Sequence, residues 1–352
     1  MADLLIQSAH WGLALVPVLV LLAIFTWLDA FELMSLKEIT LLMVLGGFAA
    51  IVCWPISGRL LDQLPIGFSN YSRFVAPWIE EASKALIMIG LFKFNRIGYK
   101  LDAVISGFAI GAGFSVIENI IYLIVFPDYG AGTWLVRGLG TAVMHGTTLA
   151  LLAAIAHEFA ERETRGAAGD FDFRLWWFLP GYLVAVALHT LFNQFPDKPM
   201  LAMMGSIIFA PIALIAIFNF GTAEAQRWLA REKAAHQADL AALKAGGWPD
   251  SPSGRAVAGL AERLGPDKSE RIHRYWEVMT YLVIEAEESM LEEAAGDVEL
   301  DRLQVEAAFA EAASLRKSLG KTAYTALQRL LPLSRNDYWE IGELKQRVGR
   351  SS

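Results

Sequence analysis

The chain has 352 residues, 55% of them hydrophobic, with a mean hydropathy of +0.40 and a formal charge of −7. An apolar, acidic chain with no basic cluster is a poor nucleic-acid binder and reads as a membrane protein. Its one cysteine, Cys53, excludes an intrachain disulfide and a cysteine-based metal site.

Charge divides the chain. Only 28 of the 67 charged side chains precede Gly221, so residues 1–220 read as a transmembrane bundle and 221–352 as a cytoplasmic helical tail. A membrane-crossing helix needs about 20 mainly apolar residues. Seven segments meet or approach this: 11–28, 39–57, 73–93, 101–126, 134–156, 174–195 and 200–220. The breakers PISG, FPDYGAG, RGAAGD and FPDKP separate several of them. Asp29 and Glu32 close the first segment and read as interfacial. The expected fold is all-α, a bundle of about seven to eight transmembrane helices with a helical region after it.

The N-terminus lacks the basic start of a signal peptide, so the first apolar run is expected to be a retained helix. One set of loops carries Lys37, Lys93, Arg96, Lys100, Arg162, Arg165 and Arg174, and the other carries Arg59, Arg73, Arg137 and Lys198. The richer set belongs in the cytoplasm, which puts the N-terminus outside and the tail inside. In the tail, Tyr275, Val278, Met279, Leu282 and Val283 form a helical apolar stripe expected to pack on its neighbours, and WPDSPSG at 248–254 reads as a linker.

Ionisable residues inside spans are costly and usually face a bundle interior or a cavity. The third segment carries Glu80, Glu81 and Lys84, the fourth Glu118, the fifth His145, and the sixth His189 with Asn193. At about 1.5 Å per residue, the three glutamates and two histidines lie roughly 9–16 Å from the outer ends of their helices, although successive helices run in opposite directions. Convergence on one depth points to one shared site. Glu80 and Lys84 are four apart and share a helix face, which makes Lys84 a charge partner for a glutamate. GFAIG at 107–111 is a small-xxx-small pattern that lets a neighbouring helix approach closely. Each residue also has a plainer reading. Glu80 and Glu81 could be first-turn acids after Pro77, and the histidines satisfied core groups. HEFAE at 157–161 lacks the second histidine of a zinc-protease HExxH and reads as a solvated helix end. His10, His236 and His273 fall outside the cluster and are read as non-catalytic.

EEASK at 80–84, FSVIE at 114–118, the isolated His145 and HTLFN at 189–193 resemble, in order and spacing, the PrsW family of intramembrane proteases. That family sits with the CAAX-processing and bacteriocin-immunity proteases, and the resemblance covers residues 70–195. Glu118 stands where CAAX proteases carry histidine, which favours the PrsW branch. The resemblance implies hydrolysis of a peptide bond in a membrane-bound protein, an anti-sigma factor being the associated substrate, in a bacterial inner membrane. It implies catalytic roles for Glu80, Glu81, Glu118, His145, His189 and Asn193. The chemistry agrees: a glutamate would activate water, and His189 with Asn193 would stabilise the oxyanion. Which of Glu80 and Glu81 is the base stays open. Zinc held by Glu81, Glu118, His145 and His189 is an option; the reading leans towards metal-independent chemistry. Expected partners are a membrane-bound protein substrate, the lipid bilayer and a cytoplasmic partner of the tail. The competing readings are an ion- or proton-coupled transporter and a non-catalytic scaffold that acts through its tail.

Overall fold

The computed structural model of the chain describes residues 2–28, 35–164, 173–219, 222–295 and 301–350. Asp29, Glu32 and Arg165 lie outside the described residues. Among those described, the secondary structure is helical throughout, with no strand. The chain divides into two compact units, residues 1–160 with 173–220, and residues 161–172 with 221–352.

The first unit contains α1 (Ala2–Leu28), α2 (Leu36–Gln63), α3 (Gly67–Phe74), α4 (Ala76–Lys93), α5 (Lys100–Val125) and α6 (Ala131–Leu135). A π-helical segment, Val136–Thr141, joins α6 to α7 (Ala142–Thr164), and α8 (Phe178–Phe192) and α9 (Pro199–Asn219) follow. Among the described residues, five helices are long and apolar enough to cross a membrane: Leu36–Gln63, Lys100–Val125, Ala131–Glu163, Leu175–Phe192 and Pro199–Ala216. The sequence led to an expectation of seven. In the first of the other two, the described apolar stretch is shorter, Ile6–Val20. The second, α4, is 18 residues long and carries Glu80, Glu81, Lys84 and Lys93.

Local sequence sets these helices. Ser35 and Glu38 form a reciprocal capping box at the start of α2, with Ser35 N donating to Glu38 Oε2 at 2.9 Å and Glu38 N to Ser35 Oγ at 3.3 Å. Asp102 does the same work at α5, accepting from Gly98 N at 3.1 Å and Tyr99 N at 2.9 Å. From Asp102 to Ser115, α5 is buried on every side, as a helix apolar all round should be. Its glycines allow this. A Cβ at Gly107 would lie 2.7 Å from the Leu149 carbonyl oxygen, and one at Gly111 would strike the His145 carbonyl, so α7 lies directly against α5. On another side, a Cβ at Gly113 would strike the Met43 carbonyl of α2. The GFAIG pattern is thus a close-approach surface, and its partner is the helix that carries His145. Large apolar side chains point outward instead: Val44 and Phe48 of α2 and Ile212 of α9 are each more than 60% exposed, as lipid-facing residues should be.

The second unit contains α10 (Thr222–Lys244), α11 (Pro252–Leu264), α12 (Pro266–Ala295), α13 (Arg302–Leu319), α14 (Lys321–Gln328) and α15 (Arg335–Arg350). Its core is of the soluble kind. Tyr275, Val278, Met279, Leu282 and Val283 are all buried along α12, packed with Leu243, Val257, Val305, Leu327 and Leu344. The stretch read as a linker is a turn: Trp248 packs on this core, and Ser251 caps α11 by accepting from Gly254 N at 2.9 Å.

HEFAE is not a solvated helix end. His157 and Glu158 are buried, because the segment after α4 folds over them. His157 Nε2 bonds the Gly98 carbonyl at 2.8 Å, and Lys100 Nζ pairs with Glu158 Oε2 at 2.6 Å.

Candidate active site

The polar residues of the four helices meet. Glu81 and Lys84 of α4 have no exposed surface, which removes the reading of Glu81 as a surface acid in a first turn. The Lys84 ammonium pairs with Glu81 Oε1 at 2.7 Å, three residues away, which picks out the glutamate that the sequence left open. It also lies 2.8 Å from His145 Nδ1. An ammonium only donates, so Nδ1 accepts and the ring proton sits on Nε2, which faces Glu118 Oε2 at 3.3 Å. His189 is oriented the other way. Its Nδ1 donates to Glu81 Oε1 at 2.8 Å, leaving Nε2 as an acceptor 3.7 Å from Glu80 Oε2. The two imidazoles meet edge to face with centroids 4.9 Å apart. Thr148 Oγ1 adds a donor to Glu81 at 3.3 Å.

Glu81 is therefore enclosed by partners, whereas Glu80, Glu118, His145, His189 and Asn193 line a cleft of ≈ 380 Å³. Asn193 reaches it from the end of α8, and its Nδ2 donates to the Ser72 carbonyl of α3 at 2.8 Å. The expectation that His189 and Asn193 act as a pair is therefore met only by their sharing the cleft; their hydrogen bonds run to different partners.

One residue of the site was missed. Arg137, counted from sequence among loop charges, is inside a helix and lines the cleft. Its guanidinium lies 3.1 Å from Glu118 Oε2 and stacks 3.5 Å over the Tyr122 ring. The π-helical turn places it there, and the turn's displaced carbonyl is satisfied: Arg137 O accepts from Asn119 Nδ2 at 3.1 Å and from the Thr141 hydroxyl. The sequence signal was Gly138 and Gly140 beside the arginine. A Cβ at Gly138 would strike the Leu13 carbonyl, so α1 lies against this turn.

A second cleft of ≈ 330 Å³ adjoins the first and is apolar, lined by Val143, Leu188, Leu191, Leu201 and Phe209. The two share Met144, Phe192, Phe195 and Ala202.

Long apolar helices enclosing acid, imidazole and guanidinium groups define the molecule as an all-α integral membrane protein with a polar interior. Residues 16–217 match the family described as PrsW family intramembrane metalloprotease, and the chain belongs to that family; it is an intramembrane protease. Neither the curated proteins nor the solved structures contain a match. Membership sets aside the transporter and scaffold readings. The family's description as metalloproteases also runs against the metal-independent leaning. The donor set passes a chemical test: Glu80, His145 and His189 offer ligand atoms within 4.8 Å of one another, a mixed O and N set that suits Zn²⁺. His189 has the posture of a ligand, with a carboxylate on its second nitrogen. His145 would have to give up its contacts with Lys84 and Glu118 to join.

A second buried polar cluster lies in the tail unit. His236 of α10 is surrounded by Glu232 of α10, Glu287 of α12 and Asp337 of α15. Burial and the nearby Asp337 push the Glu232 carboxyl up to about 8, and burial pushes Asp337 up to about 6. Burial opposes charge on His236, but Glu287, Asp337 and Glu232 outweigh it and hold the imidazolium up to about 9.

Proposed function

We propose that the chain cleaves the membrane-embedded or membrane-proximal segment of a membrane-bound protein, with Glu80 as the base that takes a proton from water in the cleft. The supporting observation is the division of labour between adjacent glutamates: Glu80 faces the cleft, while Glu81 is held by Lys84, His189 and Thr148. Glu81 then serves as a positioning residue, fixing His189 with Nε2 towards Glu80. Glu118 holds Arg137 and His145 at the opposite wall. The Arg137 guanidinium and the Asn193 amide are the cleft donors suited to an oxyanion. A zinc ion held at His189 and His145 would act as a Lewis acid on the carbonyl and lower the pKa of water, leaving Glu80 as the base. The adjoining apolar cleft suits the apolar side chains of a substrate segment, and its shared wall leads them to Glu80.

The tail lies in the cytoplasm and the N-terminus outside in this reading, in a bacterial inner membrane. Moving Arg137 out of the outer loops leaves that side with Arg59, Arg73 and Lys198, which supports the orientation. The substrate is a single-span membrane protein, an anti-sigma factor among the choices.

Reconstituted cleavage of a single-span reporter tests the site. Glu80→Gln, Glu118→Ala and His189→Ala should each lower the rate by about 10²–10⁴-fold with normal expression. Cleavage at the unmodified rate by all three would rule the site out. Uncut proteins that accumulate in membranes of Glu80→Gln cells identify the substrate.

A further inference from the structure

The tail cluster has the wrong geometry for a set of hydrogen bonds and the right one for ligands around an ion. His236 is 3% exposed, yet its Nδ1 has no hydrogen-bond partner, and neither does the buried Glu287 Oε2. Its nitrogens are 3.5 Å from Glu287 Oε1 and 3.6 Å from Asp337 Oδ2, too far for good hydrogen bonds. Donors about 2.0–2.2 Å from one Zn²⁺ in tetrahedral array stand roughly 3.3–3.6 Å from each other. Glu232, His236 and Asp337 offer ligand atoms within 4.8 Å of one another, and Glu287, Asp337 and Glu340 form an adjoining group. Among the described residues, the ion pairs of Glu287 and Asp337 are with His236 alone, and Lys233 turns to Glu288 at 3.8 Å. Glu232 and His236 are four apart, one above the other on α10. Asp337 Oδ2 also accepts from Ser334 N at 2.5 Å at the start of α15, which fixes its carboxylate in place.

We propose that Glu232, His236 and Asp337 bind a divalent transition-metal ion of the zinc class, through the His236 Nε2 that faces Asp337, with the Glu287 carboxylate standing behind Nδ1. The ion ties α10 to α15. One imidazole with carboxylates selects a borderline cation over calcium or magnesium. The arrangement of a carboxylate behind a liganding histidine is the usual second tier of a metal site.

The test uses the full chain in detergent, stripped with a chelator and titrated with Zn²⁺, with bound metal measured by mass spectrometry after gel filtration. Glu80→Gln/His189→Gln silences the membrane cluster. That protein should still retain one equivalent of zinc, and adding Glu232→Gln/Asp337→Asn should remove it. Glu287→Gln should weaken binding by about 10–100-fold. Zinc should also slow amide exchange at 232–244 and 335–348 in the membrane-silenced protein and leave it unchanged in the tail variant. Comparable zinc-free exchange in the two proteins separates loss of a ligand from loss of the fold; if Glu232→Gln/Asp337→Asn disturbs it, Glu287→Gln and the exchange data on the membrane-silenced protein decide. A membrane-silenced protein that binds no zinc, or a tail variant that keeps the equivalent, overturns the proposal and leaves the protease site untouched.

Discussion

The two units bury opposite things. The membrane unit turns Val44, Phe48 and Ile212 outward and encloses Glu81, Lys84, His145 and His189, whereas the tail encloses Trp276, Leu282 and Leu344 and turns its charges out. Each nevertheless holds one buried imidazole between two carboxylates, His189 between Glu80 and Glu81, and His236 between Asp337 and Glu287. The difference is in the cations. Lys84 and Arg137 stand beside the membrane carboxylates, whereas among the described residues the ion pairs of Glu287 and Asp337 are with His236 alone. A charge without water around it needs a partner on the chain or one brought from solution. The first unit supplies fixed cations, whereas the second offers the imidazole of His236, whose proton an ion from solution would displace.

Lys84→Met should do the most to break that contrast. It strands Glu81, costs about 3–5 kcal/mol in thermal denaturation of the detergent-solubilised chain, and abolishes reporter cleavage. Unchanged melting would mean the membrane glutamates do not depend on their lysine. Trp276→Ala should cost the tail about 3–5 kcal/mol by leaving a cavity, read as faster amide exchange along α12. Gly111→Ala should cost about 1–3 kcal/mol and lower cleavage, since the new methyl pushes α7 and His145 away from α5. Glu232→Gln, in chelator, should leave the melting of the tail within about 1 kcal/mol at neutral pH, because a carboxyl pushed up to about 8 is already largely protonated there and the amide keeps its shape. Arg274→Ala should matter least, about 0.2–1 kcal/mol by chemical denaturation, as its pair with Glu311 at 2.6 Å is largely exposed to solvent.

The sequence made the bundle and the common depth of its polar groups readable, because hydropathy and 1.5 Å per residue need no tertiary knowledge. It could not assign partners. Lys84 chose Glu81 over Glu80 because α4 turns those two residues towards α7 and α8, and that rotation depends on packing. Arg137 was hidden by a π-helical turn, which has no periodicity to detect. His157 and Glu158 looked solvated because charges at a helix end usually are; here the segment at 94–100 covers them. His236 was passed over because α10 is charged along its length, and its Glu232–His236 spacing gains meaning only when Asp337, a hundred residues later, arrives beside it.

The glycines of α5 carry one further consequence. Where side chains separate two helices, the gap is a cushion, and rotamer changes can widen or narrow it. Between α5 and α7 there is no cushion: at Gly107 and Gly111 main chain rests on main chain. The span from Glu118 to His145 is thus measured by a rigid gauge, indifferent to how lipids squeeze the outer helices. Glu118 and His145 would keep their register even where the outer helices shift.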